Sequence, residues 1–200
     1  ALLWGETYDD AEAEAIRRAA ESGIAYISPY NHPDIIAGAG TVGLEIATQL
    51  PTVGRVLVPL SGGGLLSGIA LALATSAPQC EVIGVCADHA PAGYNLIHHA
   101  DKPQVWETLA EALSGDIERG SLTIDILKTY IRRVVLVSEA AIAEAMRALV
   151  YRHGVVAEGG GAVGVAALLY GAIESDDRPT VAVISGGNVD EAQLRRVLAG

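Results

Sequence analysis

The sequence predicts an α/β fold, a doubly wound, mostly parallel sheet buried on both faces. Short runs rich in Val, Ile and Leu, at 55–60, 81–85, 134–137 and 180–184, alternate with segments of helical length and pattern. The apolar stock is mainly Ala, Leu, Val and Ile, with no Phe and one Met, which suits helices packed closely on such a sheet. Two glycine-rich turns, Ser61-Gly62-Gly63-Gly64-Leu65 and Ser185-Gly186-Gly187-Asn188, sit at the carboxyl ends of strand-like runs, where ligands of α/β sheets bind.

The elements follow in order. Ala1-Leu2-Leu3-Trp4 is a strand-like run before Gly5, so the chain reads as entering the middle of a fold. Asp9 to Glu21 places Ala11, Ala15, Ile16 and Ala19 on one face and charges on the other, an amphipathic helix. Ile24 to Ile27 reads as a strand stopped by Ser28-Pro29. A helix opens at Pro33-Asp34, with proline tolerated in the first turn, and Pro51 closes it near Leu50. Strand 55–60, the first glycine turn, helix 65–76 and strand 81–85 come next. Residues 92–131 read as two or three helices broken at Pro103, Ser114-Gly115 and Gly120-Ser121. Strand 134–137 precedes helix 139–153. Glu158 to Gly161 reads as a turn into an apolar helix ending near Ile173, and strand 180–184 leads through the second glycine turn to a last helix, 190–199.

Two hundred residues, half of them hydrophobic, suffice for one large domain, or one with a fragment of a second. The net charge of −11 argues against a nucleic-acid or anionic-membrane surface, both of which need clustered Lys and Arg. No apolar run is long enough to span a bilayer and no charged-then-apolar leader opens the chain, so a cytoplasmic protein is expected. Cys80 and Cys86 flank one strand-like run. Extended, their α-carbons would lie about 20 Å apart, too far for a disulfide. The histidines at 32, 89, 98, 99 and 153 have no metal-ligand spacing and read as structural or surface residues.

Three glycines at a strand-to-helix switch leave backbone N–H groups bare, an arrangement that suits a phosphate at the positive end of a helix dipole. The loop is not a Walker A motif, because no Gly-Lys-Ser/Thr follows. A dinucleotide fingerprint stays open, since Gly62-x-Gly64-x-x-Ser67 has serine for the third glycine and Asp88 falls near the end of the next strand. So does a tight turn without a ligand. The Ser185 hydroxyl suits a hydrogen bond to a ring nitrogen, or a plain helix cap.

Together these motifs carry a resemblance. The stretch Pro59 to Gly68 is similar to the phosphate loop of fold-type II pyridoxal-phosphate enzymes, the threonine/serine dehydratase (ammonia-lyase) and serine racemase family. Asp34 to Ile46 resembles that family's helix before the loop, Gly5 to Ala11 its upstream strand–helix turn, and Ser185 to Asn188 its loop near the carboxyl terminus. The resemblance implies a lyase bound to pyridoxal 5′-phosphate. The amides of Ser61, Gly62, Gly63, Gly64 and Leu65 would hold the cofactor phosphate, and Ser185 would hydrogen-bond the pyridine nitrogen. Glu158 matches a family glutamate near the cofactor, although a solvated turn residue is an equal reading. A neutral partner at the ring nitrogen would temper the ring as an electron sink, which suits elimination at the β-carbon.

Departures from the family pattern are informative. Ala39 stands where the commoner Ala-Gly-Gln-Gly-Thr has glutamine. Where racemase-like members hold a divalent cation, Cys86 and Ala92 replace expected carboxylates, and Asp88 alone is too little for a hard cation, so no metal is expected. Thr108 to Gly115 is closer to dehydratase-like members, including those of hydroxyectoine breakdown, than to the racemases. The family's Schiff-base lysine, in an upstream Ser-x-Lys-x-Arg motif, and its Asn-containing loop are not in this sequence. Lys102 and Lys128 sit in polar or amphipathic surroundings and read as solvated.

The expectation is therefore the carboxyl-terminal part of a dehydratase, with 1–30 ending a small domain and 31–200 forming most of the large cofactor domain. Intact, it would turn a small β-hydroxy amino acid into a 2-oxo acid and ammonia. Alone, this chain would be inactive, with no catalytic residue of its own. A non-catalytic phosphate-ligand module and an oxidoreductase's dinucleotide domain are the alternatives, and within the family a serine racemase or a hydroxyectoine-pathway dehydratase. A homo-oligomer, dimeric or tetrameric, is expected from the family. Feedback control by a carboxyl-terminal domain is not, because a single helix follows the second glycine loop.

Overall fold

The structure, a computed structural model, describes residues 2–174 and 176–200. Four strands form one parallel sheet: β1 (Arg55–Pro59), β2 (Glu81–Ala87), β3 (Arg133–Val137) and β4 (Thr180–Ala182), in the order β3-β2-β1-β4. Val56 pairs with Val82 on one side and Val181 on the other, so β1 is internal. All five of its residues are buried. This is the doubly wound α/β arrangement the apolar runs imply.

The period-two alternation of the strands divides the core. Val56, Val58 and Cys86 face one layer with Leu66, Ile69 and Leu73, while Leu57, Ile83, Val85 and Ala87 face the other with Ile142, Met146 and Val163. Helices α2 (Pro33–Gln49), α3 (Gly64–Ser76), α4 (Ala92–His98) and α5 (Leu122–Tyr130) belong to the first layer. Helices α6 (Glu139–His153), α7 (Gly159–Leu169) and α8 (Glu191–Ala199) belong to the second. Each fully buried Leu, Ile or Met on these faces contributes roughly 1.5–3 kcal/mol.

Close helix packing explains the small residues ahead of the first glycine turn. A side chain added at Gly68 in α3 would approach the Ile36 carbonyl of α2 to 2.3 Å, with the Ala39 methyl 2.7 Å away. Ala39 thus packs against α3. Helix α1 (Tyr8–Ser22) begins with a capping box, in which the Asp10 N–H donates to Thr7 Oγ1 (3.2 Å) and Asp10 Oδ2 accepts from the Thr7 N–H (3.1 Å).

Several expected elements differ. Ile24 to Ile27 is not a strand, and Ile24 and Ile27 are 69% and 71% exposed. A strand needs a ladder partner, and among the described residues none lies beside it. Leu2 to Trp4 is likewise irregular, while Ala1 lies outside the described residues. The Glu158–Gly161 turn is helical from Gly159, and α7 ends at Leu169 rather than near Ile173. Between α4 and α5 the chain is largely irregular, with one 3₁₀ turn at Glu111–Leu113. Among the described residues no helix is long and apolar enough to cross a membrane.

Candidate functional site

The sheet order places a topological switch at β1. The chain leaves β1 through α3 toward β2 on one side, while β4 pairs on the other. Loops after β1 and β4 therefore flank a crevice at the carboxyl ends of the strands, the place where ligands of open α/β sheets bind. The two glycine turns are those loops.

Ser61, Gly62, Gly63, Gly64 and Leu65 line a cleft of about 390 Å³, with Tyr8, Tyr30, Ser114 and Asp116 across from them. Gly63 is the N-cap of α3 at φ +90°, a backbone region that side-chain-bearing residues rarely enter. The first bond into α3 runs from the Ser67 N–H to the Gly63 carbonyl at 2.8 Å. Among the described residues, no protein acceptor takes the amides of Ser61 to Leu65. No side chain caps α3 and no acidic residue stands in its first turn. The positive end of the helix dipole is left for a ligand anion.

The structure gives two of these glycines a second reason. A Cβ on Gly62 would fall within 2.5–2.6 Å of the Tyr30 ring, and one on Gly64 within 2.9 Å of the Tyr30 backbone. Tyr30 is held there by its hydroxyl, which accepts from the Glu118 N–H at 3.0 Å. Asn31 donates to Glu118 Oε2 (2.7 Å) and accepts from the Leu122 N–H (2.9 Å). Burial pushes the phenol of Tyr30 above its ordinary range, as it does those of Tyr8 and Tyr26, the last to about 12. Sequence reading missed Tyr30 as a wall of the cleft, because its hydroxyl partner lies 88 residues away in the chain.

Thr123 was also invisible in the sequence. Fully buried in α5, its hydroxyl donates to the Gly62 carbonyl at 2.7 Å.

Glu158 and Ser185 lie around the corner. The Glu158 carboxylate accepts from the Asn188 N–H at 2.9 Å, in a smaller cavity that shares Glu111 and Ala112 with the main cleft. Ser185 is exposed on the loop after β4 and lines neither cavity. The five loop residues and Ser185 thus occupy one end of the sheet without sharing one wall. Lys102 and Lys128 are exposed and outside the cleft. Both cysteines are free thiols, and burial pushes Cys86 up to about 12, so it stays protonated.

The family model described as "Pyridoxal-phosphate dependent enzyme" matches residues 2–186. An L-threonine ammonia-lyase of Thermotoga maritima is 38% identical over 98% of this chain and 49% of its own length. The catabolic L-threonine dehydratase of Escherichia coli K12 is also 38% identical, over 98% of this chain and 60% of its own. The chain thus spans about half to three fifths of these relatives. Among solved structures, threonine deaminase isoform 2 of Solanum lycopersicum superposes with TM-score 0.85 at 28% identity, covering 99% of this chain and 55% of that one. Maize serine racemase gives TM-score 0.85 at 27% identity, covering 99% and 62%.

Proposed function

Because this chain belongs to the pyridoxal-phosphate dependent enzyme family, we propose that its protein is a lyase of the threonine/serine ammonia-lyase type. Its substrate would be a small β-hydroxy amino acid, released as a 2-oxo acid and ammonia. The observation that carries this reading is the row of unclaimed amides from Ser61 to Leu65 at the switch point of the sheet. The threonine ammonia-lyase and dehydratase relatives support the substrate class.

The residues fit the cofactor. A glycine at φ +90° opens α3, its first-turn amides are free, and the adjoining cleft has room for a small ring. When bound, pyridoxal phosphate supplies a carbonyl carbon for the substrate amine and a ring that draws electrons from the α-carbon. The amides of Ser61, Gly62, Gly63, Gly64 and Leu65 would hold the phosphate. Ser185 would donate to the pyridine nitrogen, and Glu158 would keep the Ser185 loop in register through Asn188. Tyr30 would cover the loop and exclude water. The amine that anchors the cofactor and takes the α-proton would come from outside these 200 residues, since Lys102 and Lys128 face solvent.

We assign residues 1–30 to the end of a small domain and 31–200 to the large cofactor domain. The irregular, exposed segment from Ile24 to Ile27, ahead of α2, supports this division. A cytoplasmic homo-oligomer, dimeric or tetrameric, completes the reading. An apolar groove of about 680 Å³, lined by Ile36, Leu44, Leu71 and Ile126, supports association.

The test is ammonia release by the intact protein from L-threonine and L-serine, beside titrations with pyridoxal phosphate and NAD. Turnover that needs pyridoxal phosphate is expected. Saturable NAD binding with none for pyridoxal phosphate would replace the reading with a dinucleotide domain. Cofactor binding without turnover of either amino acid would replace it with a non-catalytic module.

A further inference from the structure

We propose that Thr123 is a positioning residue for phosphate recognition, a latch that aims the amide of Gly63 into the cleft. The inference rests on the cofactor reading above and adds a residue that touches no ligand.

The hydrogen-bond directions are set by the groups themselves. The Gly62 carbonyl can only accept, so the single proton of the Thr123 hydroxyl goes to it across 2.7 Å. Ser121 Oγ lies 2.7 Å from Thr123 Oγ1 and must therefore donate to it. Ser121 Oγ in turn accepts from the Thr123 N–H at 3.3 Å. The result is a one-way relay from Thr123 N–H through two hydroxyls to the Gly62 carbonyl, and both side chains are buried, at 0% and 2% exposure. Bonds aligned in this sense polarise one another in a dry setting.

The consequence falls on the next amide. A trans peptide sets its N–H opposite its carbonyl, and no cis bond occurs among the described residues. Drawing the Gly62 carbonyl toward α5 therefore points the Gly63 N–H away from α5. That N–H has no protein acceptor, and Gly63 lines the cleft. The Cα of Gly63 faces the same latch, because an added Cβ would meet Leu127 Cδ1 at 2.8 Å and Thr123 Cβ at 3.1 Å. Without the hydroxyl, the Gly62–Gly63 peptide could rotate and offer its carbonyl oxygen to the phosphate, which reverses the sign of the contact.

The experiment compares pyridoxine 5′-phosphate with pyridoxine on the full-length protein by calorimetry. Neither ligand has an aldehyde, so no lysine chemistry enters. Thr123→Val should lower the preference for the phosphorylated ligand by about tenfold, the effect of roughly one hydrogen bond to a charged group, and leave pyridoxine affinity unchanged. Thr123→Ser should restore the preference. Equal weakening of both ligands, or no change in either, would overturn the latch. If Thr123→Val does not fold, Ser121→Ala decides the matter: a fall in the preference supports the relay and an unchanged preference overturns it. A wild-type protein with no preference for the phosphorylated ligand overturns the cofactor reading, and the latch with it, before any variant is made.

Discussion

Glu158 and Asn188 join the two glycine-rich segments of the second layer: the carboxylate of one accepts the backbone N–H of the other at 2.9 Å. The Glu158 N–H completes the tie by donating to the Gly186 carbonyl at 3.1 Å. Glu158→Ala would remove the partner of the exposed Asn188 amide, which water can replace, and should destabilise the protein by about 0.5–1.5 kcal/mol. Glu158→Gln keeps a side-chain carbonyl at the same reach and should lose less than half as much. Urea unfolding of the two variants checks this, and equal losses would mean that charge, not geometry, matters at this joint.

The glycine loop offers a sharper test, because its members are glycine for different reasons. Gly63→Ala meets a backbone at φ +90° and the Leu127 methyl at 2.8 Å, so it should lower both stability and pyridoxal-phosphate affinity. Gly62→Ala meets the Tyr30 ring instead. Combining Gly62→Ala with Tyr30→Ala should recover part of the loss of Gly62→Ala, a coupling that a double-mutant cycle of unfolding free energies would read directly. The same removal of Tyr30 should not rescue Gly63→Ala.

These contacts mark the boundary of what the sequence discloses. Strands β1 to β3 were legible because parallel strands buried on both faces need unbroken Val, Ile and Leu, and the loops after β1 and β4 because glycine clusters punctuate such runs. Ile24 to Ile27 has the composition of a strand, yet composition cannot supply a ladder partner. Gly159 to Gly161 reads as a turn because glycine is a poor helix former. The structure overrides that propensity, since a Cβ on Gly159 would lie 2.1 Å from the Leu109 carbonyl and one on Gly161 2.6 Å from that of Gly186. Thr123 and Tyr30 escaped notice because the partners of their hydroxyls lie 61 and 88 residues away.

Far from the cleft, an ion cluster makes a pH prediction. Arg55, 2% exposed at the start of β1, donates to Asp176, which Arg178 also contacts through its side chain and its N–H. Arg178 first, then Arg55, hold the Asp176 carboxyl down at about 2. A folded pKa below the unfolded value of about 3.9 means stability that is present above pH ~4 and lost as pH falls toward 2. Thermal melts should therefore drop across that window, and Asp176→Asn should flatten the drop while lowering stability at neutral pH by removing the nearest carboxylate of buried Arg55, which keeps the more distant Glu81 at 3.8 Å. A wild-type acid profile identical to that of Asp176→Asn would remove the cluster from the account.

A pyridoxal-phosphate lyase needs a lysine that can reach the cofactor carbonyl, and this chain has two, both exposed and neither lining the cleft. Lys102 follows Asp101 beyond α4, its backbone bound to Asn95. Lys128 lies on α5, where Thr123 and Leu127, not Lys128, approach Gly63. The 200-residue polypeptide loaded with pyridoxal phosphate should therefore hold it without a covalent bond, through the glycine loop and Ser185, with an affinity that inorganic phosphate competes away. Borohydride reduction at stoichiometric cofactor should leave its mass unchanged, whereas the same treatment of the full-length protein should add one phosphopyridoxyl group outside residues 1–200. A phosphopyridoxyl group recovered on Lys102 or Lys128, with ammonia released from threonine by the short chain, would show that the cleft draws its amine from within.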